Sequence, residues 1–119
     1  FARDAMAAIG NKWEPNEIIE RYNPRIRAKI DSAALKRTLK TVRRDGTLKS
    51  LSNVEGVMLL IKSFGGDPDS TAVYRGELTL EKKVYVMRLY ISKWNNQWFI
   101  DQIDLCDSSQ PNSLQNCKL

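Results

Sequence analysis

Histidine is absent from this 119-residue chain, and with it go the commonest proton shuttle and the commonest nitrogen ligand for a metal. Only two cysteines occur, Cys106 and Cys117; two thiols fall short of a four-ligand zinc site, so neither metal nor cofactor is expected. Long apolar runs are also missing. The longest, Gly56–Ile61, is far below the roughly 20 residues that cross a bilayer. No basic flank followed by an apolar stretch reads as a signal peptide. A soluble chain without a transmembrane segment is therefore expected, and its start at Phe1 suits a mature or trimmed product.

What is present is an ordinary globular composition, 42% hydrophobic and 28% charged, enough for one modest core. A single domain is expected over 1–107, followed by a tail at 108–119. Asp107, Ser108, Ser109, Pro111 and Asn112 supply loop chemistry between the cysteines. A Cys106–Cys117 disulfide would tie that tail to the last strand, worth about 2–3 kcal/mol through the unfolded chain. The alternative is one buried cysteine and one free tail thiol. An even cysteine count and a missing start Met favour an oxidising compartment, the periplasm or the outside of the cell, over the cytoplasm.

The first half reads as helical. Phe1, Ala5, Met6, Ala8 and Ile9 recur at helical spacing, with Gly10-Asn11 as the expected stop. A short second helix is expected over Pro15–Tyr22, begun by an early proline and ended by Asn23-Pro24. The third helix is the clearest: Asp31 or Ser32 caps it, Leu35, Leu39 and Val42 form its apolar stripe, and Asp45-Gly46 stops it. Its other side is basic. Nine of the nineteen Lys and Arg fall in Arg25–Lys49, against only Asp31 and Asp45, so the net charge of +5 is a local property.

After Gly46 the texture becomes strand-like. Leu48–Lys62 reads as a strand bent near Asn53–Gly56, Gly65-Gly66-Asp67-Pro68-Asp69 as a loop, and Ala72–Cys106 as three antiparallel strands. A first turn at Lys82-Lys83 would pair Leu80 with Tyr85, Leu78 with Met87, Gly76 with Leu89 and Tyr74 with Ile91 on one face. Glu77 would then stand opposite Arg88 on the other. Asn95-Asn96 suits a two-residue second turn. A simple register would place Trp98, Ile100, Gln102 and Asp104 on the helix-facing side; a one-residue bulge would instead place Phe99, Asp101, Ile103 and Leu105 there. The two registers differ in which aspartate meets a hollow.

Helices first and a meander afterwards predict an α+β fold, with N-terminal helices on a curved antiparallel sheet of about four strands. A polar turn followed by Trp-x-Ile, here Asn95-Asn96-Gln97-Trp98-Phe99-Ile100, resembles the nuclear transport factor two-like superfamily, and more narrowly its small exported bacterial members. Cystatin-like domains of secretion and conjugation machinery share the layout. The resemblance implies a cone-shaped domain with a hollow between sheet and helices, sheet-to-sheet pairing into dimers, and in some members isomerase, dehydratase or cyclase chemistry.

The expected function is a noncatalytic ligand-binding or protein-interaction module of the cell envelope. Its hollow would be lined by Tyr74, Leu78, Tyr85, Met87, Leu89 and Ile91, with Asp104 as the polar group, and would take a small apolar ligand. The alternative is a small-molecule enzyme in the same place, with Asp104 or Asp101 as base and Tyr22, Tyr74 or Tyr85 as donor. Arg25, Arg27, Lys36, Lys40, Arg43 and Arg44 form a basic arc that could meet phosphates, an anionic membrane surface or an acidic protein. The arc lacks the base-reading polar groups and stacking aromatics of a nucleic-acid binder. Trp98 is expected in the core, and Trp94 either covers the hairpin end or anchors a partner. Val84, Val86, Tyr90 and Phe99 make an outer sheet face apolar enough to hold a homodimer contact.

Overall fold

Three buried residues on the third helix, Leu35, Leu39 and Val42, and five on the first, Ala2, Ala5, Met6, Ile9 and Gly10, set which helical faces meet the sheet. The computed structural model describes residues 1–64 and 67–108, with the side chains at 57–64 and 67–70 outside that description. Helices α1 (Ala2–Lys12), α2 (Pro15–Ile19) and α3 (Ser32–Arg43), with a 3-10 turn at Arg27–Lys29, precede strands β1 (Leu48–Phe64), β2 (Asp67–Leu80), β3 (Val84–Trp94) and β4 (Gln97–Asp107). The strands form one antiparallel sheet in the order β1-β2-β3-β4. The fold is thus α+β, as the order of elements predicts. No helix among the described residues is long and apolar enough to cross a membrane.

Helix ends follow local chemistry, with one correction. Asp31 caps α3, its Oδ1 accepting from the backbone N–H of Ala33 and Ala34 at 3.1 Å each. Gly46, at φ 99°, takes the left-handed turn out of that helix. In α1 the left-handed residue is Trp13 at φ 50°, not Gly10 or Asn11. Gly10 stays helical and buried because a side chain there would press on Leu78 and Leu48. Trp13, fully buried, stops the helix with its N–H on Ile9 O at 2.8 Å, while Arg43 Nη2 donates to Trp13 O at 2.9 Å and fastens α3 to α1. The second helix ends at Ile19, three residues short of expectation.

Strand pairing keeps the expected faces and moves the expected partners. Leu78 faces Tyr85, Gly76 faces Met87, Tyr74 faces Leu89 and Ala72 faces Ile91. Every pair is shifted by two residues from a Lys82-Lys83 turn. The connection is longer because Lys82 N–H donates to Asp45 O at 3.0 Å, docking the turn on the end of α3, and Leu80 N–H closes it on Lys83 O at 2.8 Å. An even shift leaves each side chain on its face, so Leu78, Met87 and Leu89 remain buried. The Glu77–Arg88 pairing is lost. Arg88 stands opposite Arg75 on one side and Asp104 on the other, while Glu77 meets Arg75 at 3.7 Å and accepts from Asn53 Nδ2 at 3.0 Å.

Asn53, at φ 53°, sits where the β1–β2 register breaks between Ser52 and Glu55, which is the expected bend. The pairing continues to Phe64 opposite Asp67, so Asp67-Pro68-Asp69 belongs to β2 instead of a loop, while Gly65-Gly66 lies outside the described residues. The first β2–β3 partner is Thr71. Pro68 therefore lies beyond β3, where its missing N–H costs no ladder bond.

Candidate functional site

Asn23-Pro24 ends the helical backbone after α2, and the freed segment turns onto the edge of β4. Ile100 N–H donates to Arg21 O at 2.7 Å, and Asn23 N–H donates to Ile100 O at 2.8 Å. Tyr22 thereby makes a short parallel bridge to Ile100. Buried Asn23 holds the junction: its Nδ2 donates to Asp101 Oδ1 at 3.2 Å and Ser92 Oγ at 3.3 Å, and its Oδ1 accepts from Arg25 N–H at 3.0 Å.

Immediately beyond this bridge β4 bulges. Ile91 pairs with Ile100 while Tyr90 pairs with Gln102, leaving Asp101 as the extra residue. Both expected registers therefore occur in one strand. Before the bulge, Ile100 faces the core; after it, Ile103 and Leu105 do. Gln102 and Asp104 consequently share the face of Tyr90 and Arg88, not the face of Met87 and Leu89. Gln102 Nε2 donates to Asp104 Oδ1 at 2.9 Å.

Where the edge of β4 departs from the 21–23 segment, a cavity of about 700 Å³ opens between β4, α2 and the start of α3. Ile18, Ile26, Ile30, Ala34 and Leu35 give it an apolar floor. Tyr22, Asp101, Gln102 and Asp104 form the wall at β4, with Lys29, Asp31 and Thr38 around the remainder. Burial raises the Tyr22 phenol above its ordinary value of 10.0, and the charges of Asp101 and Asp104 raise it further against the backbone of Ile103. At neutral pH it is a phenol, able to donate. Asp104 also sits beside the Tyr90 hydroxyl, which burial and that carboxylate push upward.

Of the residues expected to line a hollow, Leu78, Tyr85, Met87, Leu89 and Ile91 are packed in the core, and Tyr74 packs against it. Asp104 alone of that set borders the cavity, and Asp101 borders it too. The hollow lies at the sheet edge instead of under its centre because α1 already covers β1, β2 and β3. A side chain at Gly76 would meet Met6 Sδ at 2.6 Å. Ile26 and Ile30, apolar among basic neighbours, flank the 3-10 turn at Arg27–Lys29 instead of lying on one helix, so no helical period marks the floor in the sequence.

The basic arc divides. Arg27 Nη2 donates to Glu20 O at 3.1 Å and Tyr22 O at 3.0 Å, Arg43 holds Trp13, and Arg25 lies 5.5 Å over the Trp94 ring. Lys36 and Lys40 on α3 and Arg44 at its C-terminal cap are exposed to solvent. Trp94, 37% exposed, tilts against Phe99 with ring centroids 6.1 Å apart, and Trp98 is half-buried against the core. Cys106 lies near the end of β4, whereas Cys117 is outside the described residues. Among the described residues no group of three or more His, Cys, Asp or Glu is placed to hold a metal ion.

Comparison with protein-family models, curated proteins and solved structures finds no match to this chain.

Proposed function

We propose that this chain is a noncatalytic ligand-binding module of the nuclear transport factor two-like type, acting in the cell envelope or outside the cell. Its ligand occupies the cavity between β4, α2 and α3. The observation that carries the reading is an apolar floor faced by the polar side chains of Asp101, Gln102 and Asp104 on β4, at a volume of about 700 Å³. Small-molecule sites typically span roughly 300–1,000 Å³ with few convergent polar groups. Native mass spectrometry of the chain purified from its own host, followed by methyl NMR of Ile18, Ile26, Ile30 and Leu35 with the released compound, tests it. A co-purified ligand that shifts these methyls supports the module; a ligand that shifts only the outer sheet face removes it.

A second reading has one observation in its favour. The Tyr22 phenol lies within the influence of both Asp101 and Asp104, a donor beside carboxylates that can take a proton. On that reading the cavity hosts isomerase- or dehydratase-like chemistry, and Tyr22→Phe and Asp104→Asn would each abolish turnover of the bound compound.

The surroundings of the cavity extend the first proposal. Half-buried Val84, Val86, Tyr90 and Phe99 suit a homodimer formed through the sheet. Lys36, Lys40 and Arg44 suit an anionic membrane surface or an acidic partner, either of which salt would weaken. A Cys106–Cys117 bridge fits the oxidising compartment, and the absence of free thiol in the unfolded, unreduced chain would support it.

A further inference from the structure

The cavity is charged against the character of the chain. The protein carries +5 overall, yet three carboxylates, Asp31, Asp101 and Asp104, border this one space against a single ammonium, Lys29. Asp31 is one of only two acids in the whole basic segment Arg25–Lys49. Its Oδ1 accepts two backbone bonds in capping α3, while the other two acids stand together on β4. There Asp101 Oδ1 accepts from Asn23 and Asp104 Oδ1 from Gln102. Each carboxylate is thus oriented by a neighbouring amide, and Asp104 also by the Tyr90 hydroxyl. The Tyr22 hydroxyl stands by both.

We infer that the occupant is an amphipathic cation: a primary or substituted ammonium head at Asp101, Asp104 and Tyr22, carried on an alkyl or aryl body lying over Ile18, Ile26, Ile30 and Leu35. This rests on the ligand-binding reading above and adds the class of ligand. Charge complementarity decides against the alternatives. A carboxylate or phosphate head would face two aspartates, while a neutral head would forgo the charge-assisted bonds they offer. Arg88, the strand cation opposite Asp104 on β3, does not border the cavity. The cations of α3 and its C-terminal cap do not reverse this. Lys36, Lys40 and Arg44 are exposed and act through solvent that screens over about 8–10 Å, whereas the aspartates border the cavity itself.

Three probes with one alkyl chain and different heads test the inference: octylammonium, octanol and octanoate, titrated by calorimetry and by methyl NMR of Ile26, Ile30 and Leu35. Octylammonium should bind about tenfold or more tightly than octanol, octanoate more weakly than either, and salt should weaken the ammonium alone. Asp104→Asn and Asp101→Asn should bring the ammonium toward the alcohol while leaving the alcohol unchanged. Binding of octanol or octanoate as tight as that of octylammonium would overturn the cationic assignment and leave the cavity a ligand site. If none of the three shifted the floor methyls, the ligand-site reading would fall with it. The comparison of heads is made on the unaltered protein, so it holds even where a variant folds poorly.

Discussion

The Asn23 side-chain amide donates to the Asp101 carboxylate at 3.2 Å, joining the turn after α2 to the bulged residue of an edge strand. The same amide reaches Ser92 on β3, and its oxygen accepts from Arg25 N–H. One buried side chain therefore fixes the wall of the cavity, the bulge that aims Asp101, and the path of the chain toward α3.

Replacing Asn23 by Ala strands the Asp101 and Ser92 acceptors and the Arg25 donor at a site that is 3% exposed. Leaving such groups unpaired costs about 1–3 kcal/mol. Asn23→Ala should lower the urea midpoint accordingly, and amide exchange should quicken first at Ile100 and Asn23, whose backbone bonds form the bridge. A variant with unchanged exchange at these two amides would show that the bridge holds itself without the side chain.

The second hairpin shows how far the chain's own residues disclose the site. Asn95 and Asn96, at φ 53° and 64°, give the two-residue turn that asparagine's tolerance of positive φ predicts, with Trp94 opposite Gln97. The helix stripe of α3 and the inward face of β3 were legible for the same reason: each is a period written directly in apolar residues. The bulge at Asp101 was legible only as an alternative, because Ile100 and Ile103 are both apolar and either parity satisfies half of β4. The shift in the first hairpin was not legible. It depends on Lys82 N–H finding Asp45 O, a contact between residues far apart in the chain. The cavity was misplaced because an apolar face on the sheet cannot announce whether a helix or a ligand covers it.

At Gly76 the covering element is α1. A methyl group there would come within 2.6 Å of Met6 Sδ and 3.3 Å of Val54, so Gly76→Ala overpacks the helix–sheet contact at a cost of roughly 1–3 kcal/mol. Met6→Ala alone should cost about 2–5 kcal/mol through the cavity it leaves. Combined, the two changes should cost clearly less than their sum, measured by denaturant midpoints. Strict additivity would mean that α1 moves as a body instead of Met6 giving way.

Alkaline pH should destabilise the fold through its tyrosines. Tyr85 donates to Asp45 Oδ2 at 2.5 Å, and burial and that carboxylate raise its phenol strongly; Tyr22 and Tyr90 are raised by burial and by neighbouring aspartates. The folded state holds these protons more tightly than the unfolded state, whose tyrosines ionise near 10.0. Stability is therefore fully present below that pH and falls as pH rises through it toward the folded values. Tyr85→Phe should lose stability at neutral pH, where the bond to Asp45 is missing, and show a shallower decline in alkali. An equally steep decline in the variant would assign the alkaline sensitivity to other groups.

Asn96 offers a change in the opposite direction. A left-handed backbone costs an L residue about 1–2 kcal/mol, less for asparagine, and glycine is free of that penalty. Asn-Gly is also the preferred pair for a two-residue turn of this kind. Asn96→Gly should therefore stabilise the protein by roughly 0.5 kcal/mol, since the side chain is exposed and makes no hydrogen bond among the described residues. Because the turn lies at the end of β4 away from Asp104, the same variant should bind octylammonium as the unaltered chain does. A change in that affinity would show that hairpin register, and with it the placement of the Asp101 bulge, is set from the turn instead of from Asn23.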